Sequence, residues 1–116
     1  MNAQEIASAA ADLVSGDRAQ THGDKTLNHQ IIADLWNGFL KMKRGHPLDA
    51  HDAANMMELL KIARRYTGSF NIDDYIDGCG YASVAGEIKV EQERRDKTWA
   101  DAAIEGCPAG DIGASA

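Results

Sequence analysis

The chain has 116 residues, 44% of them hydrophobic, with two prolines and a formal net charge of -6. That length suits one domain with a modest core. The scarcity of proline beside recurrent Ala, Leu, Ile, Met and Glu favours helices over a β-sandwich. An acidic chain without a basic stripe is a poor match to a phosphate backbone, so a nucleic-acid polymer is excluded as a partner, whereas a small nucleotide carried with metal is not. Met1-Asn2-Ala3-Gln4-Glu5 has no basic n-region, and no run approaches eighteen apolar residues, so neither a signal peptide nor a membrane span is expected. Cys79 and Cys107 form no CxxC pair and fit a reducing compartment, so a cytoplasmic location is expected.

Four helices are predicted, packed as an antiparallel four-helix bundle over residues 1–97, with a flexible C-terminal tail over 98–116. The first covers Ala3 to Val14, where Ile6, Ala10, Leu13 and Val14 keep helical spacing before Ser15-Gly16-Asp17 ends it. A polar connector, Arg18 to Asp24, follows. The second runs from Lys25 to Lys43 with a broad apolar face of Leu27, Ile31, Leu35, Trp36, Phe39, Leu40 and Met42. Arg44-Gly45-His46-Pro47 stops it.

Asp49 is placed as the N-cap of the third helix, with Asp52 at N3 as in a capping box. That helix carries Met56, Met57, Leu59, Leu60, Ile62 and Ala63 and is expected to end at Thr67-Gly68. The fourth starts after Asn71 and continues to about Arg95. Gly78, Gly80 and Gly86 lie in its middle, and a helical Gly costs about 1 kcal/mol relative to Ala. Such a surface predicts a close neighbour, either a helix or a ligand. The tail, rich in small and polar residues, is expected to be flexible, with Trp99 anchoring its start.

The chemistry concentrates where the third and fourth helices meet. Glu58 and Lys61 share one helix face, as do Asp74 and Asp77. The spacing between the pairs brings the two faces together if the helices run antiparallel. Three carboxylates converging in a core repel unless a cation neutralises them, and hard oxygen donors suit Mg²⁺ or Mn²⁺. A purely structural arrangement accounts for the same residues: Asp73 and Asp74 sit in a first turn, where the helix dipole favours acids. Glu58 then pairs with Lys61 or Arg65, and Lys61 with Asp74.

The connector adds His22 and Asp24, followed by Lys25 and Asn28. Asp24 is suited to cap the second helix, which leaves His22, Lys25 and Asn28 without an evident core role. On the fourth helix Asp74, Asp77, Gly78, Tyr81 and Ala85 share a face, which reads either as a pocket floor or as a close-packing seam.

Glu58-x2-Lys61-x12-Asp74-x2-Asp77 resembles the ExxE…ExxD pattern of the MazG-like all-α nucleoside triphosphate pyrophosphohydrolases, and His22-Gly23-Asp24-Lys25 resembles the turn before their second helix. Arg18…His22-Gly23-Asp24, Leu60-Lys61-Ile62-Ala63-Arg64 and Asp74…Asp77…Gly80-Tyr81 are similar to short phage-borne members, one branch of which acts on (d)GTP. The resemblance covers residues 15–95. It implies a four-helix bundle, a homo-oligomer (dimer or tetramer), and Mg²⁺- or Mn²⁺-dependent cleavage of a (d)NTP to (d)NMP and pyrophosphate, in the host cytoplasm for a phage-encoded chain. Carried over by position, Glu58, Asp74 and Asp77 are the metal-ligand and catalytic residues, with Glu58 nearest the attacking water. Lys61 departs from the pattern, since the family has Glu there, and a cation at that point suits a phosphate oxygen. Lys25 is a second phosphate candidate. His22, Asn28 and Trp36 are candidates for sugar or base contact, Trp36 being better suited to the core, and Tyr81 lies on the pocket floor.

Two other functions fit the residues. One is a non-enzymatic phage accessory protein that binds a nucleotide or a host protein, which Lys61 in place of Glu favours. The other is HD-type phosphohydrolase chemistry from His51-Asp52, which lacks a matching histidine on a second helix.

Overall fold

A computed structural model describes residues 1–16 and 24–104. Within them the chain is all-helical, with no strand: α1 spans Ala3–Ser15, α2 Lys25–Lys43, α3 Ala50–Arg64 and α4 Asp73–Ile104. None of these helices is long and apolar enough to cross a membrane.

Asn2 caps α1 by accepting from the Glu5 backbone N–H at 2.9 Å. The helix is exposed along its whole length, Ile6, Leu13 and Val14 included. Its apolar stripe is therefore present but covered by none of the described residues. The Lys25 ammonium ties its end to α2 by donating to the Val14 carbonyl at 3.2 Å.

Asp24 caps α2 by accepting from Leu27 N–H at 3.0 Å. At the other end Arg44 adopts a left-handed φ of 53° and Gly45 follows at 80°. Glycine takes up the second positive φ without a Cβ penalty, and the chain turns sharply into α3. There the capping box expected from the sequence is complete: Asp49 Oδ1 accepts from Asp52 N–H at 2.9 Å and Asp52 Oδ2 from Asp49 N–H at 3.0 Å.

Two helix ends differ from expectation. α3 stops at Arg64, and residues 65–69 turn, with Gly68 at φ 69°. α4 continues past Arg95 to Ile104, so residues 98–104, expected as tail, are helical. No Gly or Pro occurs between Gly86 and Ile104. Ion pairs brace the exposed turns, Lys89 with Glu93 at 3.2 Å and Glu91 with Arg94 and Arg95 at 2.6 and 3.1 Å. The Arg94 guanidinium, helped by Arg95 and opposed by desolvation, holds the Glu91 carboxyl down to about 2. Trp99 lies within the helix, 43% exposed. Residues 105–116 lie outside the described structure.

α3 is the central element, packed on α4 and on α2. Trp36 Nε1 donates to the Met56 carbonyl at 2.8 Å, and Lys43 pairs with Asp52 at 2.8 Å. Across the other face, Gln92 donates to Asp49 at 3.3 Å and Asp74 pairs with Arg64 at 3.7 Å. The contacts run in reverse order along each pair, so α3 is antiparallel to both neighbours. The buried apolar residues are small, Ala54 and Ala63 on α3 and Gly78 and Ala85 on α4, while Ile31, Leu35, Trp36, Met56 and Leu60 remain only half-buried.

The glycines of α4 are not equivalent. A Cβ on Gly78 would run into the Arg65 guanidinium, whereas Gly80 and Gly86 have open space beside them. Among the described residues the close approach expected for the whole stretch is confined to Gly78.

Candidate functional site

Interhelical charge pairing decides how the predicted carboxylates are held. Lys61 Nζ donates to Asp77 Oδ2 at 3.0 Å, with the lysine side chain 17% exposed and the aspartate 45%. One turn on, Arg64 Nε lies 3.7 Å from Oδ1 of the buried Asp74. Lys61 thus meets Asp77 rather than Asp74 or Glu58. Arg65, considered as a partner for Glu58, reaches α4 instead: its guanidinium lies 4.5 Å from the Tyr75 ring centroid and its Nη2 donates to the Asp74 carbonyl at 3.5 Å. Its Nε is buried with no hydrogen-bond partner. The route over Gly78 is what lets this side chain pass between the helices. Glu58 is half-buried, and no hydrogen bond or ion pair links it to any described residue.

Beside the Lys61–Asp77 pair lies an open groove of about 460 Å³, lined by Lys61, Ile76, Asp77, Gly80, Tyr81 and Val84. Its five α4 residues recur at helical spacing, so a single face forms the floor. Three predicted residues, Lys61, Asp77 and Tyr81, share this groove. Asp74 lies behind it under Arg64, and Glu58 one turn back along α3. Lys25 is engaged with α1, Asn28 is half-buried on α2, and neither lines the groove. Trp36 is committed to packing on α3 through its indole N–H. His22 and Gly23 lie outside the described residues.

The oxygens of Glu58, Asp74 and Asp77 do not lie mutually within 4.8 Å; among the described residues the trio that does so is Asp49, His51 and Asp52. That trio is already engaged by protein groups. Asp49 accepts from Asp52 N–H and Gln92, and His51 Nε2 lies 3.2 Å from Asn55 Nδ2. Asp52 accepts from Asp49 N–H and Lys43. Burial pushes the Asp52 carboxyl up, but the hydrogen bonds from Lys43 and Asp49 and the lysine charge together hold it below its ordinary value of 3.8. The buried Asp52–Lys43 link and the Arg65 crossing escaped sequence reading. The Asp49/Asp52 capping box was the signal for the first, and the cost of Gly78 for the second.

The family model described as "Domain of unknown function (DUF6378)" matches residues 5–89, which include every groove residue. The Gene 55 protein of Mycobacterium phage L5 is 38% identical over 90 residues, covering 78% of this chain and 56% of its own length. The Gene 55 protein of Mycobacterium phage D29 is 31% identical over 97 residues, covering 83% of this chain and 62% of its own. The chain thus spans less than two thirds of the length of these relatives. No solved structure matches. By the extent of the family match, the chain belongs to the DUF6378 family, and it is similar to the mycobacteriophage Gene 55 proteins over part of their length.

Proposed function

We propose that the chain is a metal-dependent nucleoside triphosphate pyrophosphohydrolase that converts a (d)NTP, with (d)GTP the first candidate, to (d)NMP and pyrophosphate. The observation that carries this reading is the groove in which Lys61, its side chain largely buried, and the half-exposed Asp77 stand side by side over a floor of Gly80 and Tyr81. Polyanion recognition needs the first and cation recognition the second.

The donor chemistry is of the kind a hard divalent ion takes, since Glu58, Asp74 and Asp77 offer only carboxylate oxygens, but in this structure they do not converge within ligating reach and Asp74 and Asp77 face Arg64 and Lys61. These three residues would hold Mg²⁺ or Mn²⁺, which when bound supplies charge neutralisation at the phosphates and a more acidic water. Lys61 contributes a phosphate contact from the groove wall. Tyr81 and Ile76 offer apolar and aromatic surface to a base or sugar. Glu58 would accept a proton from the attacking water.

The same reading includes the four-helix bundle and a homo-oligomer, dimer or tetramer. Its support is the half-buried state of Ile31, Leu35, Met56 and Leu60 and the exposed apolar stripe of α1, which leave surface for a further helix or a second copy. Such an activity belongs in the host-cell cytoplasm, where free nucleotides occur.

Incubating the purified protein with each (d)NTP and Mn²⁺ and separating the products tests the proposal. Monophosphate plus pyrophosphate is the expected result, and no turnover of any nucleotide overturns it. One observation favours a second reading, a non-enzymatic accessory protein binding a nucleotide or a host protein: Asp74 and Asp77 already face protein cations. That reading wins if Mn²⁺ leaves the melting temperature unchanged and Asp77→Asn leaves binding intact.

A further inference from the structure

We infer that a second copy of this chain covers its open apolar surface, with α1 of each copy lying along α2 of the other in a two-fold exchange of arms. This goes beyond the reading above by naming the faces through which copies meet, and it does not depend on turnover at the groove. Two uncovered stripes carry it. On α1, Ile6, Ala10, Leu13 and Val14 recur at helical spacing and all are exposed, the three large ones by more than half. On α2, Leu27, Ile31, Leu35, Gly38 and Met42 recur at the same spacing, with Leu27 and Met42 exposed and Ile31 and Leu35 half-buried. Gly38 stands in the middle of this second stripe with nothing within 4 Å of where a Cβ would lie. A residue that weakens the helix there leaves room for a neighbour that this chain does not supply.

The helices need that cover. A helix of 13 residues such as α1 is marginal in water without tertiary packing. No apolar side chain larger than alanine is buried among the described residues. Charge selects α2 as the surface for α1: α1 carries Glu5 and Asp12 on one flank of its stripe and no basic residue, whereas α2 carries Lys25, Lys41 and Lys43 against Asp34 alone. Within one chain the stripes stay apart. The Lys25 ammonium holds the end of α1 beside the start of α2 through the Val14 carbonyl, yet both stripes remain open. Each stripe is the other's complement, so two copies that exchange α1 cover all of them with one contact repeated by symmetry. Folding of α1 back onto α2 of its own chain is the rival arrangement, and it predicts a monomer.

Light scattering and sedimentation of the full chain at stepped concentrations test the inference, with variants on each stripe. Wild type is expected to be a particle of two chains. Leu13→Glu on α1 and Met42→Glu on α2 should each weaken the association by about tenfold or more, since each places a charge in both apolar contacts. Gln4→Glu, on the opposite face of α1, should leave it unchanged. An equal mixture of the Leu13→Glu and Met42→Glu proteins should associate more tightly than either alone, because the mixed pair regains one contact free of both substitutions. Circular dichroism checks folding, and Leu13→Ala with Met42→Ala carry the same comparison if a glutamate variant loses helix. A monomeric wild type overturns the inference. So does a dimer that either stripe variant leaves intact, or a mixture no tighter than its components. None of these outcomes bears on nucleotide turnover, so the pyrophosphohydrolase reading stands or falls separately, by its own product assay.

Discussion

Two clusters of opposite charge sit at the two ends of α3, and they differ in what is left over. At the N-terminal end the carboxylates of Asp49 and Asp52 are engaged by backbone N–H groups, Lys43 and Gln92, and Asp52 is buried. At the C-terminal end Lys61 and Arg64 meet Asp77 and Asp74, yet no described residue engages Glu58, Asp77 is half-exposed and a groove adjoins. The first cluster is tighter and brings its ligand atoms closer together, which by proximity alone makes it the better metal site. Its oxygens, however, already have their hydrogen bonds, so an added ion must break a helix cap. A carboxylate cluster is a ligand site when it keeps unused donors and has space beside them. The second cluster lies beside a groove and includes Glu58, which no described residue engages, and for that reason the proposed site is placed there.

The contrast is sharpest under substitution. Asp77→Asn should lower nucleotide turnover by about a hundredfold or more, since it removes a ligand and the partner of Lys61, while the melting temperature moves little. Product chromatography and thermal unfolding on the same preparation check this, and retained turnover breaks the comparison. Asp52→Ala should do the reverse. It removes half of the capping box and strands Lys43, costing about 2 kcal/mol of stability in urea unfolding, with turnover per folded molecule preserved.

Asp52 also sets a pH dependence. Its folded-state carboxyl is held below the ordinary 3.8, so its stabilising contribution is present above that value and is lost as pH falls through the lowered folded value. Wild type should therefore lose stability in that acid range and Asp52→Ala should lose less, as read by urea midpoints at stepped pH.

The smallest effect concerns the open side of α4. A Cβ at Gly86 meets no described atom within 4 Å, so Gly86→Ala should raise stability by up to about 1 kcal/mol through helix propensity. A loss of stability together with a smaller particle by light scattering would instead place Gly86 in a seam between copies.

Much of the local structure was legible because it is written in short-range chemistry. The Asp24 cap, the Lys25–Lys43 helix and the Asp49–Asp52 box each depend on residues within four positions of one another, and each formed as read. The end of α4 was misjudged because the small-residue composition after Lys97 suggests a tail. The stretch to Ile104 holds neither Gly nor Pro, and three alanines, Ala100, Ala102 and Ala103, favour helix within it. Lys25 and Asn28 fell away from the site because their polarity showed only that they avoid the core, not which way α2 turns them.

By itself the sequence determined an acidic, all-helical chain and which side chains share each helix face, since periodicity and capping are local properties. Only the tertiary structure decided that Lys61 faces Asp77, that Arg64 takes Asp74 and that Arg65 crosses Gly78 to Tyr75. Those pairings depend on the axial register of α3 against α4. Gly78 marks that register, since Arg65 and Lys61 of α3 stand closest to it, and one helical turn of slippage, about 5.4 Å, would exchange every partner.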